Sequence, residues 1–525
     1  MKRLPTLLLG IFIGILIAIG VCYLLQKHNE NVAPLKASNQ TVIPKLTLFY
    51  NAEELPGEKS LVAQVVQSQL GRIGIETSLE PVPSTIYNDR LTNGQFESAL
   101  TLWYLDYDDA EGFLTDFYSK SSFRLSKYSN PKYDEAYKSA LFAPTEKEKF
   151  ERYHAAADIL KRDLPWIPLF SNSELYLMSP KAAGFVANAY QYYDYRWVDM
   201  ADIRAATDVE IQTLDPALCY DAGSKHLITQ SYEGLVAMDE HNQTVPALAT
   251  EWHFSPKGDR LSFTLRPGVK FHPAPFLSKP GQRNVDAQDV KASFERLIKA
   301  NSPYGYIFDY VAGVDEFKAG TAKNVSGLIV EAPLKFTIQL KRPFPTMLPW
   351  LLAPAAYVLP AELPAKYDFS KGSVGTGPFA LKSWDGSLAN YAANTDYWRA
   401  ENGSKLPKAK TLAIRVIKDP NTLFLAYQKS ELDILNVPLP VFDAVMDSNG
   451  NVKAEWQKHV FREVKLNNLK FIGFNMQGNP WGNSVELRHR VEQAINRDEI
   501  VRQLFRGKAR AANSIIPQGM AGFAP

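Results

Sequence analysis

The sequence predicts an α/β protein of several domains, on three observations. Strand and helix patterns alternate from Leu46 onward, the texture changes to short strands and turns after Asp202, and 525 residues at 46% hydrophobic content supply several cores. In order, Leu46 to Tyr50 (LTLFY) is a short apolar strand, and Leu61, Val62, Val65, Val66 and Leu70 then fall at helical spacing up to Gly71. Ile75 to Val82 and Ala99 to Tyr104 are strands again, a βαβ pattern that implies a parallel sheet covered by helices. Thr145 with Glu148 forms a capping box ahead of a helix through Leu160, which Pro165 and Pro168 end. Beyond Asp202 the strands are Leu261 to Phe271, Leu328 to Pro333 and Phe336 to Leu340, with a helix from Ala287 to Lys299. Asn483 and Glu486 then make a capping-box-like start for a helix carrying Val491, Ile495 and Ile500.

Ahead of all this, Lys2 and Arg3 precede an uncharged run from Leu4 to Leu25, long enough to cross a ~30 Å hydrocarbon core. Residues 1–25 are therefore a transmembrane anchor or a signal peptide. The positive front predicts a cytoplasmic N-terminus with the bulk exported. Ile19-Gly20-Val21-Cys22 is a poor lipoprotein cleavage box, which favours an uncleaved anchor. Residues 26–44 are polar and aperiodic, like a tether.

Charge and motif content exclude several functions. Removing Lys2 and Arg3 leaves 56 basic against 56 acidic residues, so the basic excess that nucleic-acid binding draws on is missing. Cys22 and Cys219 make neither a disulfide framework nor a thiolate metal cluster, and Cys219 reads as a small apolar residue. His226, His241, His253 and His272 lack metal-ligand spacing, and the sequence contains no Walker loop, HExxH, paired CxxC or GxSxG elbow. Gly375-Thr376-Gly377-Pro378 reads as a tight turn into a strand, because Pro378 removes a donor that a phosphate loop needs. No enzyme, metal or cofactor is expected. One cluster stands out: Asp106, Asp108, Asp109 and Glu111 follow an apolar strand among Trp103, Tyr104, Tyr107 and Phe113. Two readings fit it, a solvated acidic loop or a ligand site at a strand end, where open α/β sheets place their ligands.

Several segments together resemble the family 5 extracellular solute-binding proteins, the dipeptide- and oligopeptide-binding components of ABC importers. They are TLDPA (Thr213 to Ala217), YEGLV (Tyr232 to Val236), PALATEW (Pro246 to Trp252), FTLRPGVKFH (Phe263 to His272) and DAQDVKASFERL (Asp286 to Leu297). NSPY (Asn301 to Tyr304), VGTGPFALKSW (Val374 to Trp384), NTDYW (Asn394 to Trp398), ELDI (Glu431 to Ile434), Phe474 to Val501 and Gly507 to Phe523 follow in the family's order. The segments that resemble the family's last third instead stand first: Lys45 to Tyr50, Leu100 to Leu114, Tyr128 to Ala140 and Asp163 to Phe170. A circular permutation accounts for this order. Termini close together at a surface can be joined, and new ends can open in an exposed loop.

The resemblance implies a two-lobed, type II periplasmic-binding-protein-like α/β fold with an extra domain, closing on an extended ligand by hinge motion. Residues 45–172 plus 472–525 would form one ligand-binding lobe, 173–240 plus 372–471 the second, and 241–371 the additional domain. It also implies that Asp106 of the Trp103-Tyr104-Leu105-Asp106 segment pairs with a peptide ammonium. Trp103 and Tyr104 accompany it, Cys219, Tyr220, Asp221 and Ala222 line the cleft after LDP, and Tyr304 contacts ligand. The extra carboxylates of Asp106 to Ala110 (DYDDA) would favour cationic ligands. The implied function is a monomeric periplasmic receptor, tethered to the inner membrane or secreted after signal cleavage, that captures a peptide or similar solute for an ABC permease. A membrane-anchored sensor or assembly protein that keeps the fold without transport is the alternative.

Overall fold

The computed structural model describes residues 43–53, 57–121, 124–300, 302–401 and 403–523. The apolar run from Leu4 to Leu25 and all but the last two residues of the tether lie outside them. Among the described residues no helix is long and apolar enough to cross a membrane.

The chain opens as the alternation predicts. Strand β1 (Leu46–Asn51), helix α1 (Glu58–Arg72), β2 (Thr77–Val82), α2 (Ser84–Asn93) and β3 (Ser98–Trp103) form two parallel pairs, β2 and β3 flanking β1. Helix α1 buries Val62, Ala63, Val66 and Leu70 on one stripe against β1. Helices α3 (Pro131–Leu141) and α4 (Glu146–Asp163) follow; Asn130 caps the first, and Thr145 accepts from Glu148 N to cap the second. Strand β4 (Trp166–Met178) then runs for 13 residues.

The second region contributes β5 (Asp202–Thr207) and the short helix α5 (Ala222–Ile228). Next, β6 (Ala249–Phe254), β7 (Arg260–Leu265), α6 (Ala287–Lys299), β8 (Leu328–Ala332) and β9 (Lys335–Gln339) build a four-stranded antiparallel sheet in the order β6-β7-β9-β8 with α6 against it. Asp286 and Asp289 cap α6 reciprocally. The strand expected from Leu261 to Phe271 ends at Leu265, because the Pro267-Gly268 turn leaves the ladder there and Gly268 takes a positive φ. Strands β10 (Phe379–Trp384), β11 (Leu388–Ala393) and β12 (Thr411–Val416) form a third sheet with β5, which is parallel to β12. The turn ahead of β10 packs on the chain at Ser231: a Cβ at Gly375 would stand 2.0 Å from the Ser231 carbonyl oxygen.

The C-terminal part returns to the first sheet. Strands β13 (Ile434–Asn436) and β14 (Val460–Lys465) pair with the far half of β4, and β15 (Leu469–Phe474) lies between β4 and β3. Helices α7 (Val485–Ala494) and α8 (Arg497–Phe505) precede β16 (Ala509–Ala511), which also joins β4. The single helix expected over this stretch is two, since Asn496 N-caps a second start, and the first cap is Ser484 rather than Asn483. Eight strands thus share one sheet, drawn from both ends of the chain.

Candidate functional site

The acidic segment begins where β3 ends. Leu102 and Trp103 sit in register with Lys470 and Leu469 of β15, and the chain then turns out of the sheet. Trp103 donates its indole N–H to the Gly112 carbonyl at 3.2 Å, which folds the segment back on itself. Asp106 is 6% exposed at the bend. Its Oδ1 accepts from Lys225 Nζ of α5 at 2.8 Å, and its Oδ2 accepts from the Tyr304 hydroxyl. Lys225, 1% exposed, also donates to the Tyr190 carbonyl at 2.7 Å and faces the rings of Tyr192 and Tyr104 at 5.0 and 5.8 Å. A buried ion pair of this kind holds only when further hydrogen bonds and ring faces replace the lost water.

Helix α5 supplies the other wall. Asp221 accepts from Ser224 N to cap it, and the Ala222 N–H donates to the Tyr104 hydroxyl at 3.1 Å. Cys219 is buried; its thiol is pushed well up by burial and then by the Asp106 charge nearby, so it is an un-ionised packing group. Tyr104, Asp106, Cys219, Asp221, Ala222 and Tyr304 therefore meet around one corner, whereas the Trp103 ring faces Gly112 and Trp166. Tyr220 stands apart with its side chain turned outward, 52% exposed.

The remaining carboxylates of the cluster have separate duties. Asp109 accepts from buried Lys149 at 2.6 Å, and Glu111 accepts from Tyr137, Tyr107 and Trp350. Asp108 accepts from the Tyr190 hydroxyl and the Ala521 N–H. Of the three aspartates from Asp106 to Ala110, Asp106 and Asp109 are thus paired with internal lysines, while Asp108 is held by neutral donors. Lys225 was the residue sequence reading missed. Its signal was a lone long cation, placed between Ser224 and His226 in a seven-residue helix that ends in Leu227 and Ile228.

Beside this corner lies a cavity of about 130 Å³. Leu102, Ala222 and His226 line it together with Glu58, Asn172, Glu174, Tyr193 and Asp208. Glu174 accepts from Tyr176, Tyr193, Gln191 and Asn436, and Glu58 accepts from Lys470 and Asn172. Burial, with the Glu174 and Glu58 charges adding to it, pushes the Asp208 carboxyl up to about 6. Burial pushes His226 down to about 3, so it is neutral, with Nε2 bonded to the Tyr195 hydroxyl at 2.8 Å.

The model of the bacterial extracellular solute-binding proteins, family 5, matches residues 29–124 and 243–525, more than half of the chain. The dipeptide-binding protein of Escherichia coli K12 is 28% identical over 315 residues, 58% of this chain and 55% of its own length. A glutathione-binding protein, GsiB, of Salmonella paratyphi A is 26% identical over 324 residues, 61% of this chain and 57% of its own. This chain spans little more than half the length of those curated relatives. Among solved structures, a periplasmic oligopeptide-binding protein from Borrelia burgdorferi superposes with a TM-score of 0.42 at 22% identity, over 47% of this chain and 49% of that one.

Proposed function

We propose, from the premise that this chain belongs to the bacterial extracellular solute-binding proteins of family 5, that it is a periplasmic receptor which captures a peptide or similar solute between two lobes and hands it to an ABC permease. The observation that carries this is the corner at Asp106. A buried carboxylate at the end of a central strand meets Lys225 and Tyr304 from elements that lie far away in sequence. Such a charge pair across two walls of a cleft suits a binding device that opens and closes. In this reading a ligand ammonium takes the place of Lys225 Nζ at Asp106, with Trp103, Tyr104, Cys219, Asp221, Ala222 and Tyr304 around it, while Tyr220 turns outward and takes no part.

The finer organisation follows from the same premise. Residues 45–172 plus 472–525 make one lobe, 173–240 plus 372–471 the other and 241–371 the additional domain, in a circularly permuted order. The placement of β15 between β3 and β4 supports that order, since late and early segments complete one sheet. Residues 1–25 anchor the protein in the inner membrane and 26–44 tether it, which raises the receptor's effective concentration at a permease. The receptor acts as a monomer and performs no catalytic step.

Native followed by denaturing mass spectrometry of the purified protein tests the reading. Release of a bound peptide or similar small solute is the expected result. A protein that is empty as isolated, and that shows no thermal shift with pooled peptides, would refute it.

A further inference from the structure

The cavity next to the Asp106 corner has an unbalanced charge. Among the described residues that line it there are three carboxylates, Glu58, Glu174 and Asp208, and no lysine or arginine. Lys470 reaches Glu58 alone. Among the described residues the hydrogen-bond donors to Glu174 are neutral: two tyrosine hydroxyls and two side-chain amides, at 2.5 to 3.3 Å. Neutral donors fix the orientation of a carboxylate and leave its charge uncancelled. Burial weakens Asp208 as an acid, and the Glu174 and Glu58 charges, which add to that effect, belong to the same excess. His226 brings no positive charge near neutral pH.

A second observation is independent of the acidic residues. Asn172 is 9% exposed and lines the cavity; its Nδ2 is spent on Glu58, while its Oδ1 finds no hydrogen-bond partner among the described residues. A buried amide oxygen without a donor is costly, and it awaits an N–H. The space is large enough to supply one: about 130 Å³ against the roughly 10–15 Å³ that a single water needs. Carboxylates held in place, an unmet acceptor and room for a side chain together describe a receptor for a group that is positively charged and rich in N–H donors.

We propose that this cavity takes the ammonium or guanidinium group of a basic ligand, with Glu174 and Asp208 as its counter-charges and Asn172 Oδ1 as an additional acceptor. The inference rests on the receptor reading and names the solute class: peptides or related solutes bearing a cationic side chain. A neutral or acidic side chain at this position would leave buried carboxylates unpaired, or set like charges together.

The test is a calorimetric titration of the full chain, purified in detergent and freed of bound solute. The probes are alanine tripeptides carrying arginine, citrulline or glutamate at each position in turn. Citrulline keeps the shape and most of the donors of arginine but not its charge. The expected result is that at least one arginine peptide binds ten-fold or more tighter than its citrulline partner, and that the glutamate peptide binds weakest. Glu174→Gln with Asp208→Asn should erase the arginine preference while the citrulline affinity is kept. Equal affinity for arginine and citrulline, a preference that survives in the double variant, or no binding of any basic probe would each overturn the inference. A neutral or acidic solute found in the mass spectrum would also overturn it and leave the receptor reading standing, so the two failures are distinguishable.

Discussion

Lys225 and Asp106 show how one side chain changes what another is able to do. A carboxylate expected to wait for a ligand ammonium already holds an internal one, at 2.8 Å and away from water. Removing Asp106 alone therefore strands a buried lysine, so Asp106→Ala is not the silent binding variant that sequence reading would choose. Lys225→Met and Asp106→Leu should each destabilise the protein by about 3–5 kcal/mol, and the double substitution should cost less than their sum. Urea unfolding of the four proteins measures the coupling; strict additivity would show that the pair contributes nothing to folding. Added free-amino ligand should raise the midpoint of Lys225→Met more than that of wild type, because it restores the missing charge. The position of Asp106 was legible from its strand and aromatic neighbours. Its partner was not, because contact between residues so distant in sequence depends on how the two regions dock.

At the scale of elements, the local signals that were read correctly were those with a physical period or a cap. The βαβ start has the period alone, its helices lacking a side-chain N-cap, and α6 has both; α6 begins and ends where its apolar spacing and Asp286 place it. The misreadings fall where a short-range rule competes with packing. The helix expected to carry Val491, Ile495 and Ile500 splits at Asn496, whose side chain caps the next turn while its backbone N–H donates to Gln69 of α1. Likewise, the glycine turn before β10 has a role that no local pattern displays. Gly375 and Gly377 both press on the backbone at Ser231; a Cβ at Gly375 meets the Ser231 carbonyl and the Tyr232 ring, and one at Gly377 meets main chain alone. Gly375→Ala is therefore expected to cost about 3 kcal/mol or more, whereas Ser484→Ala, which loses one half-buried cap, should cost about 1 kcal/mol. Thermal melts rank the two directly; equal losses would show that the turn has room to relax.

On the scale of the whole molecule, the largest sheet is assembled from both ends of the chain, with β15 separating β4 from β3. Residues 43–201 alone should therefore give no cooperative unfolding transition, and adding residues 430–523 in trans should restore one, as followed by circular dichroism. A cooperative transition in the first fragment by itself would show that β4 can close directly on β3. The α/β class and family could be read from motifs, since each motif is local. Which strand fills the middle of the sheet depends on long-range pairing, where register and neighbours are fixed by the complete core. This arrangement also sets a timetable for synthesis. Trp103 leaves the ribosome hundreds of residues before its partner Leu469, and at about 5–20 residues per second that interval lasts roughly 20–70 s. Throughout it, β3 and β4 each present an unpaired apolar edge, the kind of surface that recruits strands from other chains. The nascent protein thus needs protection, by chaperone or by concentration, for far longer than its individual helices and turns take to form.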